Sequence, residues 1–328
     1  MVDLSTKYMG LDLRSPIIAG SSGLTNSLED FKEIEKFGGG AIVLKSLFEE
    51  EINIEMKKNL EEMNKPGTIY PEIYDFFDYD SVEDSVSKYL FLIEKAKKIL
   101  SIPVIASINC VSDGDWVHFA KRIEEAGADG LELNLFILPS DFNRSAQQTE
   151  QIYFDVIRDV KKEVKLPIAV KTSFYFSNLA QMLKRLSETG ISALVLFNRF
   201  WSPDFDIDNF RILSSHVLST PGELSISLRW IAIMANRVKC DLAASTGIHD
   251  GRAVVKQILA GANAVQVAST LYRNGFPRIQ KMLDEVEEWM DEHNFKTLND
   301  FRGKMSQAES EDPAAFERVQ FMKYFSGK

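Results

Sequence analysis

The chain has 328 residues and a formal net charge of −10. That balance argues against a nucleic-acid partner, which calls for a basic face, and against an anionic membrane surface. Hydrophobic residues at 45% and charged residues at 26% are the proportions of a soluble globular enzyme with a sizeable core.

The opening MVDLSTKYMGLDLRS lacks the basic start and apolar run of a secretion signal. No apolar stretch reaches the ~18 residues of a membrane span. A cytoplasmic location with no membrane partner is the expectation. Cys110 and Cys240 sit in no CxxC pair and no metal-ligand spacing, and read as reduced, partly buried thiols. His118, His216, His249 and His293 do not pair at ligand spacing either, so no metal is expected.

In chain order, residues 4–8 and 11–13 flank Met9-Gly10 and predict a small hairpin covering one end of the fold. Eight short apolar runs follow, at 16–20, 40–45, 103–109, 130–135, 167–171, 193–198, 241–245 and 264–269. Each is nearly all apolar rather than alternating, the mark of parallel strands buried on both faces. Amphipathic segments at 28–37, 82–100, 116–126, 150–165, 179–189, 225–237 and 251–260 lie between them. Eightfold strand–helix alternation predicts an α/β fold, a (β/α)8 TIM barrel. In EEAGADG, SETGIS and LAGANA a glycine closes a helix before the next strand. Pro103 and Pro167 stand just ahead of strands, where no ladder donor is lost.

Two long loops, 47–80 and 199–220, both follow strands and belong at the C-terminal face. A closing helix spans 276–294. No linker composition interrupts the chain. It reads as one domain, 1–328, with the barrel at about 15–295 and a C-terminal extension at 296–328.

Barrel enzymes build their sites from strand C-terminal ends. Here those ends offer Ser21 and Ser22, Lys45 and Ser46, then Asn109, Asn134, Lys171 and Asn198. The last two runs end in Ser245-Thr246-Gly247 and Ala268-Ser269-Thr270. The small residues suit a phosphate, because backbone N–H groups can approach its oxygens; simple tight turns would use the same residues. His249 lies inside this turn. A lysine in a barrel mouth calls for an anionic partner. That partner is a neighbouring carboxylate or an anionic cofactor ring; alternatively, the lysine forms a Schiff base. The carboxamides favour the ring, since they donate and accept along the mixed edge of a flavin or planar amide. Carboxylates, which Schiff-base barrels place around the lysine, are lacking from the strand ends. No GxSxG elbow supports Ser-His-Asp hydrolysis.

The order of these residues resembles the dihydroorotate dehydrogenase family from Leu11 to about Met305. LDLRSPIIAGSSG is similar to the family's first strand and flavin-side turn, here Ser21, Ser22 and Gly23. AIVLKS and IAVKTS resemble the strands carrying the flavin-contacting lysines, here Lys45 and Lys171. GADGLELNL and LVLFN resemble those ending in asparagines that face substrate, here Asn134 and Asn198, the former also touching flavin. ASTGIHDGRAVVKQILAGANAVQVASTL resembles the phosphate end. There Thr246-Gly247 and Ala268-Ser269 stand where the family commonly has Gly-Gly and Gly-Thr. The resemblance implies FMN as cofactor, oxidation of dihydroorotate to orotate, and a homodimer.

The same comparison exposes two departures. Cytosolic members follow the fourth-strand asparagine with Asn-Leu-Ser-Cys-Pro-Asn, whose cysteine is the base. This chain reads Asn134-Leu135-Phe136-Ile137-Leu138-Pro139-Ser140, with Ile137 at the base position. Ser140 or Asp141 is the nearest replacement. The family's Asn-Gly-Asn substrate loop is replaced by 65–70, KPGTIY. The expectation is therefore an FMN oxidoreductase with an altered planar substrate. The alternatives are an inactive flavin-binding protein and a phosphate-binding Schiff-base lyase or aldolase using Lys171. A membrane quinone is not the expected acceptor, since the chain opens almost directly on the barrel.

Overall fold

The computed structural model describes residues 2–48, 85–109, 113–199, 202–215 and 217–317. The expected hairpin is present: β1 (Thr6–Tyr8) and β2 (Leu11–Leu13) pair antiparallel around Met9 and Gly10. Next come β3 (Ile17–Ala19), α1 (Leu28–Lys36), β4 (Ala41–Val43) and the two-residue β5 (Leu47–Phe48). The rest of the 47–80 loop lies outside the described residues. Strand–helix alternation then runs through α2 (Ser85–Ile99), β6 (Val104–Asn109), α3 (Asp113–Glu125), β7 (Gly130–Asn134) and α4 (Ala146–Glu163). It continues through β8 (Ile168–Thr172), α5 (Leu179–Ser187) and β9 (Ala193–Leu196).

An antiparallel hairpin interrupts the alternation here, β10 (Ser202–Asp206) with β11 (Arg211–Ser215). Then follow α6 (Leu224–Met234), β12 (Asp241–Ser245), α7 (Gly251–Ala260), β13 (Ala264–Val267), α8 (Ser269–Asn274) and α9 (Pro277–Glu292). The ring β3-β4-β6-β7-β8-β9-β12-β13 closes through β13–β3, every neighbour parallel. This is the (β/α)8 barrel expected from the sequence.

Two-sided burial explains the apolar runs. Leu131, Leu133, Val170, Leu194, Leu242 and Val265 point outward into the layer beneath the helices. Their neighbours Ile105, Ala169, Val195, Ala243 and Ala264 form a separate cluster inside the barrel. Local signals set the helix ends. Asp250 caps α7 by accepting from Ala253 N (2.7 Å). Gly261 ends it at φ 119, where an L side chain would be strained.

Tyr8, Met9 and Leu13 plug the barrel by joining its interior cluster. The Met9 N–H donates to Asp241 Oδ2 (2.8 Å) at the first residue of β12. The hairpin therefore covers the N-terminal end and leaves the C-terminal end for the site. Residues after α9 are knitted on by Gly303 N to Ile258 O (2.9 Å), Met305 N to Leu259 O (2.8 Å) and Gln307 N to Ala232 O (2.9 Å).

The expected 199–220 loop contains the β10–β11 hairpin. It has no Asn-Gly or Asp-Gly turn to announce it. Asp206 Oδ1 closes the turn by accepting from Asp208 N (3.1 Å) and Asn209 N (3.0 Å). The short α8 was likewise not anticipated.

Tyr8 is fully buried and its hydroxyl has no protein partner among the described residues. Tyr8→Ala is expected to cost about 3–5 kcal/mol, as for large aromatic truncations in cores. Tyr8→Phe is expected to stay within about 1 kcal/mol of the wild type, because an unpartnered O–H adds little net stability. Urea unfolding of both variants checks this; equal losses would refute it.

Candidate active site

Inward-facing positions become polar near the strand C-terminal ends. Two residues below Asn134 lies Glu132, and two below Ala268 lies Gln266; Lys171 is the last inward residue of β8. The three meet inside the barrel. Lys171 Nζ donates to Gln266 Oε1 (2.8 Å) and lies 3.5 Å from Glu132 Oε1. Gln266 Nε2 donates to Glu132 Oε2 (2.5 Å). Glu132 is 1% and Lys171 7% exposed. Of the partners open to the lysine, a neighbouring carboxylate is present: Glu132, one inward step below the strand ends.

Above this cluster opens a cavity of about 300 Å³, at the low end for small-molecule sites. Ser21, Lys171, Thr246, Gly247, Ala268 and Ser269 all line it, from the ends of β3, β8, β12 and β13. Asn198 and Arg199 are also in the wall. Thr246 and Gly247 both have positive φ, 76° and 80°. Gly247 is required twice over, since a Cβ there would collide with the Leu224 backbone nitrogen.

Asn134 reaches the cavity through its neighbour. Asn198 Nδ2 donates to Asn134 Oδ1 (2.8 Å), and Asn198 Oδ1 accepts from Arg199 N (2.9 Å). Hydroxyls continue the network. Ser46 N donates to Ser21 Oγ (2.9 Å), and Ser46 Oγ pairs with Ser107 Oγ (2.7 Å). The buried Tyr89 hydroxyl accepts from Ser107 N (2.8 Å) and donates to Ser107 O (3.0 Å).

Lys45 and Ser22 stand apart from the cavity wall. Lys45 follows β4, half-buried, its N–H donating to Thr25 O (2.9 Å). Ser22 closes a short turn, its N–H donating to Thr25 Oγ1 (3.1 Å). Past Asn134, the Ile137 N–H donates to Tyr153 Oη (3.1 Å), and the half-buried Ile137 side chain packs on the core. Ser140 is exposed, and its N–H donates to Leu138 O (2.8 Å). Asp141 pairs with Arg144 at 3.8 Å. The 65–70 stretch, Cys110 and His216 lie outside the described residues.

Several wall residues escaped the sequence reading. Arg199 Nε donates to Glu223 Oε1 (2.7 Å) and Nη1 to Val217 O (3.0 Å), clamping both ends of the hairpin insertion. Burial would raise the Glu223 carboxyl, but hydrogen bonds from Arg199 and Thr220 hold it below the usual range. Ser219 N donates to Ser269 Oγ (2.9 Å), and Ser219 Oγ lies 3.2 Å from His249 Nε2. Only a count of alternate residues back from the strand ends would have found Glu132 and Gln266. Nothing local marks Arg199 or Ser219.

A closed parallel barrel with a polar cavity at its strand C-terminal ends defines the class: an α/β-barrel enzyme. The model of the family described as "Dihydroorotate dehydrogenase" matches residues 79–290. The chain belongs to the dihydroorotate dehydrogenase family, oxidoreductases acting on CH–CH groups. It is 25% identical over 314 residues to the catalytic subunit of dihydroorotate dehydrogenase B (NAD(+)) of Thermoplasma volcanium, covering 92% of this chain and 98% of that protein. The like-named protein of Methanocaldococcus jannaschii is 25% identical over 308 residues, covering 92% and 97%. No helix among the described residues is long and apolar enough to cross a membrane.

Burial, and then the Arg273 guanidinium, push the His249 imidazole below its ordinary value. An unfolded His249 therefore takes up its proton first as pH falls. Stability drops through the window just below the ordinary histidine value, and the loss is complete below the folded value. His249→Gln is expected to flatten that part of the profile of unfolding free energy against pH. An unchanged profile between about pH 7 and 5 would refute it.

Proposed function

We propose that this chain is an FMN-dependent oxidoreductase with a small planar substrate, on which dihydroorotate oxidation itself is slow or absent. Lys171 carries the reading: a buried ammonium on the wall of a cavity that small residues also line. FMN, when bound, supplies two-electron chemistry at a C–H bond. The donor set fits that group. Ser21 and Lys171 offer side-chain donors to the cavity, and the small residues Thr246, Gly247, Ala268 and Ser269 would let backbone N–H groups approach a phosphate.

The chain's own residues would divide the work. Lys171 would compensate negative charge gathered on the ring. Asn134 and Asn198, fixed in orientation by their mutual hydrogen bond, would hold the planar substrate. Lys45, two residues beyond β4, would support the flavin. Ile137 cannot take a proton, and general-base catalysis contributes about 10²–10⁴-fold. The deficit for dihydroorotate is expected to be of that order.

Purified protein is expected to show flavin absorbance near one FMN per chain and turnover of dihydroorotate at least about 100-fold below an ordinary family rate. A colourless protein that takes up no FMN would sink the cofactor reading. Normal turnover would sink the altered substrate, and borohydride trapping of a carbonyl compound on Lys171 would favour the lyase alternative. A bound flavin that no reduced metabolite bleaches would favour the inactive alternative.

The reading extends to a cytoplasmic homodimer. Phe205, Ile207, Phe210 and Ile212 of the β10–β11 hairpin are 69%, 78%, 93% and 68% exposed, an apolar group that a second copy would cover. Light scattering is expected to give a dimer for the wild type and a monomer for Phe205→Glu/Ile212→Glu. A wild-type monomer would rule the dimer out.

A further inference from the structure

We propose that Glu132 is the positioning residue of this site: a fixed counter-charge below the cavity that aims Lys171 and limits how strongly it stabilises negative charge above. The inference rests on the FMN reading.

Glu132 sits in the barrel lumen at 1% exposure. A carboxylate so buried is costly unless another group compensates it. Its two oxygens are treated differently. Oε2 accepts from Gln266 Nε2 (2.5 Å), whereas Oε1 has no hydrogen-bond partner and lies 3.5 Å from Lys171 Nζ. The bond to Oε2 decides which way the Gln266 amide faces. With Nε2 committed downward to Glu132, Oε1 is presented to Lys171 (2.8 Å). Lys171 has three donors, and Gln266 takes one. The ammonium is thus held by its side rather than neutralised by a close ion pair, at a point where it lines the cavity.

A carboxylate meant only to bury the lysine would sit at hydrogen-bond distance. At 3.5 Å it offsets part of the charge and leaves donors for a ligand. The other group facing Glu132 from below is Tyr8. Burial, and then the Glu132 carboxylate, oppose ionisation of its phenol, so it brings no competing charge.

The consequence is a redox one. Negative charge gathered on the ring in the reduced state is stabilised by Lys171 and destabilised by Glu132. Replacing Glu132 with the isosteric glutamine keeps an acceptor for Gln266 and removes the counter-charge. The reduced state then gains on the oxidised one.

The test is the reduced-to-oxidised ratio of bound FMN, equilibrated with a reference dye at about pH 6. Glu132→Gln is expected to raise that ratio about tenfold, which for two electrons is about 30 mV. Glu132→Asp keeps the charge, and is expected to stay within about twofold of the wild type. Lys171→Gln is expected to lower the ratio, and Lys171→Gln/Glu132→Gln to return it toward the wild type. A purely structural role would make the shorter aspartate at least as disruptive as glutamine. An unchanged ratio in FMN-loaded Glu132→Gln overturns the inference, as does an aspartate shift equal to that of glutamine. If Glu132→Gln is recovered unfolded, the double variant decides: folded with a near wild-type ratio supports the counter-charge, unfolded or shifted overturns it. A wild type without FMN overturns the cofactor reading and this inference together.

Discussion

Closing eight parallel strands on themselves divides every strand residue between two dry spaces, the layer under the helices and the lumen. Neither tolerates an unpartnered charge, so the lumen has to be graded. At its base the Tyr8, Met9 and Leu13 plug meets Ile18, Ala41, Val43 and the alanines of β8, β9, β12 and β13. One inward step higher come Glu132, Lys171 and Gln266, which hold one another in place, with Glu132 Oε1 left without a hydrogen bond. Above them lies the cavity. The position of the site therefore follows from where the strands can first carry polar side chains inward.

That same constraint decides what was legible. Two-sided burial makes every strand residue apolar wherever packing rules, so the eight runs stood out and their boundaries fell within a few residues of the observed strands. It also removes the alternation that would tell inward from outward. Glu132 reads as one polar residue in GLELN, with nothing to say that it faces Lys171. Strand-end residues were easier, because topology alone places them: Ser21, Lys171, Asn198 and the Thr246-Gly247 and Ala268-Ser269 turns all meet at the cavity. The β10–β11 hairpin was invisible because its apolar residues face out, leaving no buried face to set a pattern. Arg199 and Ser219 enter the wall through that insertion and depend on contacts remote in sequence.

The two halves of the mouth are anchored differently. The side facing Thr246, Gly247 and Ser269 is tied by hydrogen bonds through Ser219, which joins Ser269 to His249. On the other side, the backbone beyond Asn134 is held by Tyr153 at Ile137 and then runs into exposed residues 138–148. A family scaffold can keep the first half while the second half changes, since few bonds of the barrel cross that segment.

Residues 3–6 meet residues 296–302 beside the hairpin that closes the barrel. Asp3 N donates to Lys296 O (2.8 Å), and Arg302 Nη2 donates to Thr6 Oγ1 (2.7 Å). The hairpin thus has partners made 232 to 296 residues later. On the ribosome, where domains emerge N-terminus first, the hairpin must wait for residues 241 to 302 before it can seat. Until then the lower mouth of the lumen, with Tyr8 withdrawn, stands open to water. The step that completes the barrel is also the one that dries the space in which Glu132 and Lys171 are held.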